Sequence, residues 1–178
     1  MYNRLLRIYK NASHMRTLIS ELLDFRKQEQ GYLKLKVECR DIVAFTKEVY
    51  MSFYEYALKH HIAYRFETSE ASINLWFDPV QMQKVIINLL SNAFKYTPAE
   101  GNITVSIRMH SQQVLLQIKD SGTGIPQESI HKIFDQFYQI DGQRSNLSLG
   151  TGIGLTLSKN IVELHKGNIR VELSLIHI

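Results

Sequence analysis

Cysteine occurs once, at Cys39, which excludes an internal disulfide and a multi-cysteine zinc site and fits a reducing compartment. The histidines fall at no metal-ligand spacing. No apolar run approaches the roughly 20 residues that span a bilayer. The N-terminus also lacks the basic-then-apolar order of a signal peptide, so the stretch reads as soluble, with room for a longer membrane-bound parent. No Lys/Arg-rich run interleaves with aromatics. The net charge of +4 therefore suits a small anionic ligand and gives no argument for nucleic acid. Hydrophobic residues at 44% and charged residues at 21% describe an ordinary globular chain, long enough for one domain with a full core and a small appendage.

Residues 1–30 contain no proline and read as one helix. Leu5, Ile8, Ala12, Met15, Leu18, Ile19, Leu22 and Phe25 recur at three- and four-residue steps, and Gly31 follows as a stop. A narrow apolar stripe on an otherwise polar helix needs a partner helix to pack on. Beyond it the reading is a strand over 33–37, a helix over 41–60 capped by Asp41, strands over 63–68 and 73–77, and a helix over 79–96. That last helix starts sharply at Asp78-Pro79, with the carboxylate as cap and proline in the first turn. Strands over 103–109 and 114–119, a helix over 152–165 and a final strand complete the order. Mixed helices and strands with mostly antiparallel neighbours predict a layered α+β sandwich rather than a doubly wound sheet.

Three segments carry candidate chemistry. Asn88, Asn92 and Lys95 lie at spacings of four and three, on one face of the 79–96 helix. Amide oxygens ligate Mg²⁺ and an ammonium neutralises phosphate, although the same pattern alone describes a solvated helix face. Asp120-Ser-Gly-Thr-Gly124 follows a strand, where glycine permits positive φ and close approach of a ligand to the backbone. The aspartate there suits an exocyclic amine, and the segment alone equally suits an ordinary turn. Gly150-Thr-Gly-Ile-Gly154-Leu155 opens a helix, whose N-terminal amides form an anion site. It is not a P-loop, because no Lys-Ser or Lys-Thr pair follows the last glycine. A dinucleotide fingerprint belongs to the first turn of a βαβ unit, and this cluster comes late. Between the glycine clusters, Phe134-Asp-Gln-Phe137-Tyr138 places aromatics at the base of a loop.

In order and spacing these pieces resemble the four nucleotide-binding boxes of the histidine kinase catalytic domain. NLLSNAFKYT (88–97) resembles the N box, DSGTGI (120–125) the first glycine box, FDQFY (134–138) the F box and GTGIGL (150–155) the second glycine box. The similarity covers roughly residues 31–173. It implies a two-layer α/β sandwich of the GHKL ATPase type over 31–178, preceded by a dimerisation helix over 1–30. It also implies ATP and Mg²⁺ as cofactors: Asn92 as the metal ligand, Asn88 and Lys95 at the phosphates, Tyr96 against the base and Asp120 on the adenine amino group. Gly122, Gly124 and Ile125 would shape that pocket. Phe137, Gly150, Thr151, Gly152, Ile153, Gly154 and Leu155 would supply the lid and its hinges. The family's arginine after the F box is replaced by Gln139, leaving Arg144 or Lys132 for the γ-phosphate.

The implied reaction is phosphoryl transfer from ATP to a histidine of the dimerisation domain, for two-component signalling. The implied partners are a homodimeric parent and a response regulator or receiver domain, in the cytoplasmic part of a membrane-bound sensor. LLDFRK within residues 1–30 resembles large hybrid sensors. His14-Met-Arg16-Thr17 lacks the acidic neighbour, the Arg spacing and the proline of a phosphoacceptor motif, so the acceptor histidine is expected on a helix outside this sequence. Residues 173–178 depart from the family's glycine-rich turn and last strand, which suggests a truncated or altered tail. A GHKL-superfamily ATPase is the main rival, but the position of its general-base glutamate holds the neutral amide of Asn88. An anti-sigma-type serine kinase and a nucleotide-binding pseudokinase are the remaining rivals.

Overall fold

The computed structural model describes helical, exposed residues at intervals between Leu5 and Arg26, then residues 33–140 and 152–172. The elements in order are β1 (Glu38–Asp41), α1 (Ile42–Met51), α2 (Tyr54–Lys59), β2 (Ala63–Thr68), β3 (Asn74–Phe77), α3 (Pro79–Tyr96), β4 (Asn102–His110), β5 (Gln113–Asp120), a 3₁₀ turn (Gln127–Ser129) and α4 (Gly154–Leu164). Most of the 1–30 helix and all of the 173–178 tail lie outside the described residues.

Period-two patterning builds the main sheet, ordered β2–β4–β5. Central β4 pairs parallel with β2 and antiparallel with β5. The register lines up Phe66, Val105 and Ile118 in one row and Thr68, Ile107 and Leu116 in the next. Ile103, Val105 and Ile107 are wholly buried on that face, and α1 and α3 cover it. The opposite face carries polar rows, Arg65–Thr104–Lys119 and Glu67–Ser106–Gln117. This is a two-layer α/β sandwich. A separate antiparallel ladder, β1 with β3, closes one end of it.

The caps act as expected. Asp78 Oδ1 accepts from the Gln81 N–H at 3.1 Å and Asp41 Oδ1 from the Val43 N–H at 2.9 Å. Four expectations need correction. Residues 33–37 form no strand, because the Lys36 N–H donates to the Asp78 carboxylate (2.8 Å) instead of to a ladder, and pairing begins at Glu38. The helix expected over 41–60 is two helices. Ser52 Oγ donates back to the Val49 carbonyl at 2.6 Å, a local bond that competes with helix propagation, and Phe53 then stacks on Phe94. Finally, residues 167–172 follow α4 without forming a strand, and α4 itself starts at Gly154 rather than at residue 152.

Burial pushes the Asp41 carboxyl up, but hydrogen bonds from the Ile73 N–H, Ser72 and the Val43 N–H outweigh it and hold it below the usual carboxylate range. A carboxyl depressed in the folded state contributes stability above the unfolded pKa, and that stability disappears as pH falls through the folded value. Asp41→Asn should therefore flatten the acid limb of a stability-versus-pH curve measured by urea unfolding. In the core, Ile86 is wholly buried between α1 and β4. Ile86→Ala should cost about 2–5 kcal/mol in the same assay. Leu115→Ala, on the exposed face, should stay within roughly 0.5 kcal/mol of wild type.

Candidate nucleotide-binding site

One end of the sandwich collects the chemistry-bearing residues around α3. Of its polar stripe, Asn88 turns toward α4 and donates from Nδ2 to Ser158 Oγ at 2.9 Å. Gly154 lies directly on this amide: a Cβ there would come within 3.1 Å of Nδ2 and nearer still to Oδ1. Asn92, one turn on, is half-buried, and no hydrogen bond among the described residues engages its side chain. Lys95 Nζ sits 5.1 Å over the Tyr96 ring.

The loop after β5 is latched onto the C-terminal end of α3. Asp120 pairs across the ladder with buried Ile103, which places it on the helix-covered face at the strand end. Its Oδ1 accepts from the Gly122 N–H at 2.9 Å. The Thr123 N–H donates to the Tyr96 carbonyl at 3.2 Å. Only glycine fits at 122, since a Cβ would stand 2.6 Å from that carbonyl and 2.7 Å from Asp120 Oδ1. Gly124 adopts φ +72 with nothing within 4 Å of the Cβ position, so the loop turns away into open space beside half-buried Ile125. Thr97 caps α3 here with a buried hydroxyl that has no partner among the described residues. Such an atom calls for an ordered water or a ligand.

The F-box aromatics hold the start of α4. The Phe137 N–H donates to the Gly152 carbonyl at 2.9 Å, and both residues have positive φ, +62 and +69. Thr156 Oγ1 donates to the Phe134 carbonyl and Tyr138 O–H to Ser129 Oγ, each at 2.9 Å. Phe137 itself is exposed, Ile153 is buried in the α3–α4 interface and Leu155 is half-buried. Among the described residues no side-chain hydrogen bond caps α4, and the N-terminus of a helix is a position that suits an anion. Gly150, Thr151 and Arg144 lie outside the described residues, and Lys132 is exposed.

Residues 77–175 match the family model described as histidine kinase-, DNA gyrase B- and HSP90-like ATPase. The chain belongs to this ATPase family. Among curated relatives of this ATPase domain, histidine kinase P4 of Formosa agariphila is 43% identical over 96% of the chain. Sensor histidine kinase WalK of Bacillus subtilis is 32% identical over 93%. The chain spans only 13% and 28% of those two proteins. Among solved structures, the nucleotide-free catalytic domain of histidine kinase ThkA superposes with TM-score 0.65 at 29% identity, covering 72% of this chain and 82% of that one. Full-length ShkA in complex with AMPPNP shares the fold, with TM-score 0.76 at 20% identity over 87% of this chain and 32% of its own.

Two features of this ATPase domain gave no sequence signal that spacing could catch. Ser158, the partner of Asn88, stands one turn beyond Gly154, where a serine reads as an ordinary helix residue. His165 accepts from the backbone N–H of Asp78 at 2.9 Å, a contact 87 residues apart in the chain. Among the described residues, no group of His, Cys, Asp and Glu side chains is arranged to hold a metal, and no helix is long and apolar enough to cross a membrane.

Gly152→Ala combines positive φ with a Cβ 2.7 Å from the Phe137 backbone. It should destabilise the protein by roughly 1–3 kcal/mol, read by thermal unfolding, and accelerate limited proteolysis around residue 137.

Proposed function

We propose that this chain is the ATP-binding catalytic domain of a sensor histidine kinase, which transfers the γ-phosphate of Mg·ATP to a histidine on the dimerisation domain of its parent. The observation that carries the reading is a convergence. The N-terminus of α4 lies on Asn88, and the Asp120–Gly122 turn is latched to the other end of the same helical stripe, with Asn92 and Lys95 between them.

The residues fit an adenine nucleotide. Asp120 keeps one carboxylate oxygen on the Gly122 N–H and has the other to accept from the adenine amino group. The unpartnered Thr97 hydroxyl lies beside the same turn. Tyr96 offers a ring at the base position, Lys95 meets phosphate, and the first-turn amides of α4 receive the phosphate chain. A single amide oxygen from Asn92 suits Mg²⁺, a cation that keeps most of its ligands as water and phosphate. The described residues contain no carboxylate cage, so the nucleotide itself would supply much of the coordination. The chain's own contribution is positioning and charge neutralisation, as phosphoryl transfer requires. Hydrolysis by a general base at position 88 is disfavoured, because that group is an amide already bonded to Ser158.

Residues 1–30 act in this reading as one helix of the dimerisation hairpin and 31–178 as the catalytic domain. The phosphoacceptor and a response regulator are the partners of a homodimeric parent; a solved complex of ThkA with the response regulator TrrA pairs such proteins. Wild-type protein should bind an ATP analogue in a Mg²⁺-dependent manner by calorimetry, and Asp120→Asn should weaken binding at least about tenfold, the worth of one charge-assisted hydrogen bond. Asn92→Ala should abolish the Mg²⁺ dependence while sparing much of the metal-free affinity. A folded wild type that binds no nucleotide would overturn the assignment.

A further inference from the structure

We infer that His165 is a positioning residue for the nucleotide site, acting as a neutral latch between the far ends of α3 and α4; the inference rests on the ATP-binding function proposed for the chain. His165 forms the C-cap of α4. Its Nε2 lies 2.9 Å from the backbone nitrogen of Asp78, the N-cap of α3. A backbone N–H can only donate, so Nε2 must be the accepting, unprotonated nitrogen. The ring proton therefore resides on Nδ1, which donates to the Ile161 carbonyl at 2.8 Å. Both ring nitrogens are committed, and the geometry admits one tautomer.

Position gives the latch its consequence. The α3–α4 pair is joined by an apolar seam of Val85, Ile153, Leu157 and Ile161, whose attraction is non-directional and selects no unique pairing of polar groups. Two polar bonds fix the register: Asn88 to Ser158 midway along α4, and His165 to Asp78 at its end. Together they set where the N-terminus of α4 sits relative to Asn88 and Asn92. His165 touches no expected ligand atom, so its effect on binding passes through α4.

A second proton on the imidazole removes the acceptor and sets an N–H against an N–H. The facing element's charged group, the Asp78 carboxylate, is no ready substitute. Its two oxygens already accept from the Gln81 and Lys36 backbone N–H groups, and it is buried. On α4 itself, Glu163 faces Lys159 at 4.0 Å, and Lys166 beyond His165 adds only positive charge. Protonation of the imidazole therefore favours release of the latch.

The test is calorimetric binding of a non-hydrolysable ATP analogue to wild type, His165→Gln and His165→Ala. Each is measured at about pH 8 and about pH 5.5, either side of imidazole titration, with thermal unfolding of each sample alongside. Glutamine keeps a neutral acceptor that does not titrate. His165→Gln should bind within about twofold of wild type at the higher pH, and His165→Ala roughly fivefold to tenfold more weakly, the worth of one neutral hydrogen bond. On acidification wild type should lose roughly fivefold to tenfold more affinity than His165→Gln, which controls for protonation of the nucleotide. Equal pH losses in those two proteins, or wild-type affinity in His165→Ala, would overturn the proposal.

Imidazole ¹⁵N shifts provide the second measurement. At the higher pH they should report the neutral Nδ1–H tautomer, and an Nε2–H tautomer would sink the latch. If folded wild type shows that Nδ1–H tautomer yet binds no nucleotide at either pH, the ATP reading has failed and the positioning role falls with it.

Discussion

Helix α3 is held along two sides at once, and the site exists because of that double burial. Ile86 and Leu90 pack against β4 and α1, while Val85 packs against Ile153, Leu157 and Ile161 of α4. A helix with one apolar face can rotate or slide on its support; one wedged between a sheet and a second helix cannot do so without opening a cavity. The stripe left over carries Asn88, Asn92 and Lys95, so these polar groups are presented at a defined angle by the packing behind them. The Asp78 cap and Pro79 set where the helix begins, and Pro98 lies just past the Thr97 cap where it ends.

Both glycine segments depend on the same helix. The first closes on the Tyr96 carbonyl through the Thr123 N–H, with Gly122 allowing the approach. The second rests Gly154 on the Asn88 amide, and Gly152 bends against Phe137. Backbone groups thus do most of the site-building, and side-chain charge contributes little. This agrees with a chain whose net charge carried almost no functional information. An electrostatic pocket made of amides and a helix terminus is strong for a bound anion, yet adds nothing to composition statistics.

Legibility followed the range of the interaction. The limits of β2 and α3 were readable to the residue, because alternation, capping and proline are local signals. Strand 33–37 misread for a long-range reason: a carboxylate 42 residues away takes the Lys36 N–H. The break at Ser52 was hidden because a serine inside an apolar helical pattern is usually tolerated, and here the bond back to Val49 and the stacking of Phe53 on Phe94 decide otherwise. In the site, four ordered motifs revealed the ligand class, whereas Asn88 facing Ser158 rather than open space was invisible.

The sequence by itself determined the family, since motif spacing is written in one dimension. It also determined each element whose ends are capped by its own neighbours, as in Asp41, Asp78 and Pro79. Only the tertiary structure decided how α4 meets α3. That register rests on Asn88 with Ser158 and on His165 with the Asp78 N–H, contacts spanning 70 and 87 residues. Hydrogen bonds between distant residues leave no periodicity to read, because they depend on where packing brings the backbone and not on the spacing of residues along it.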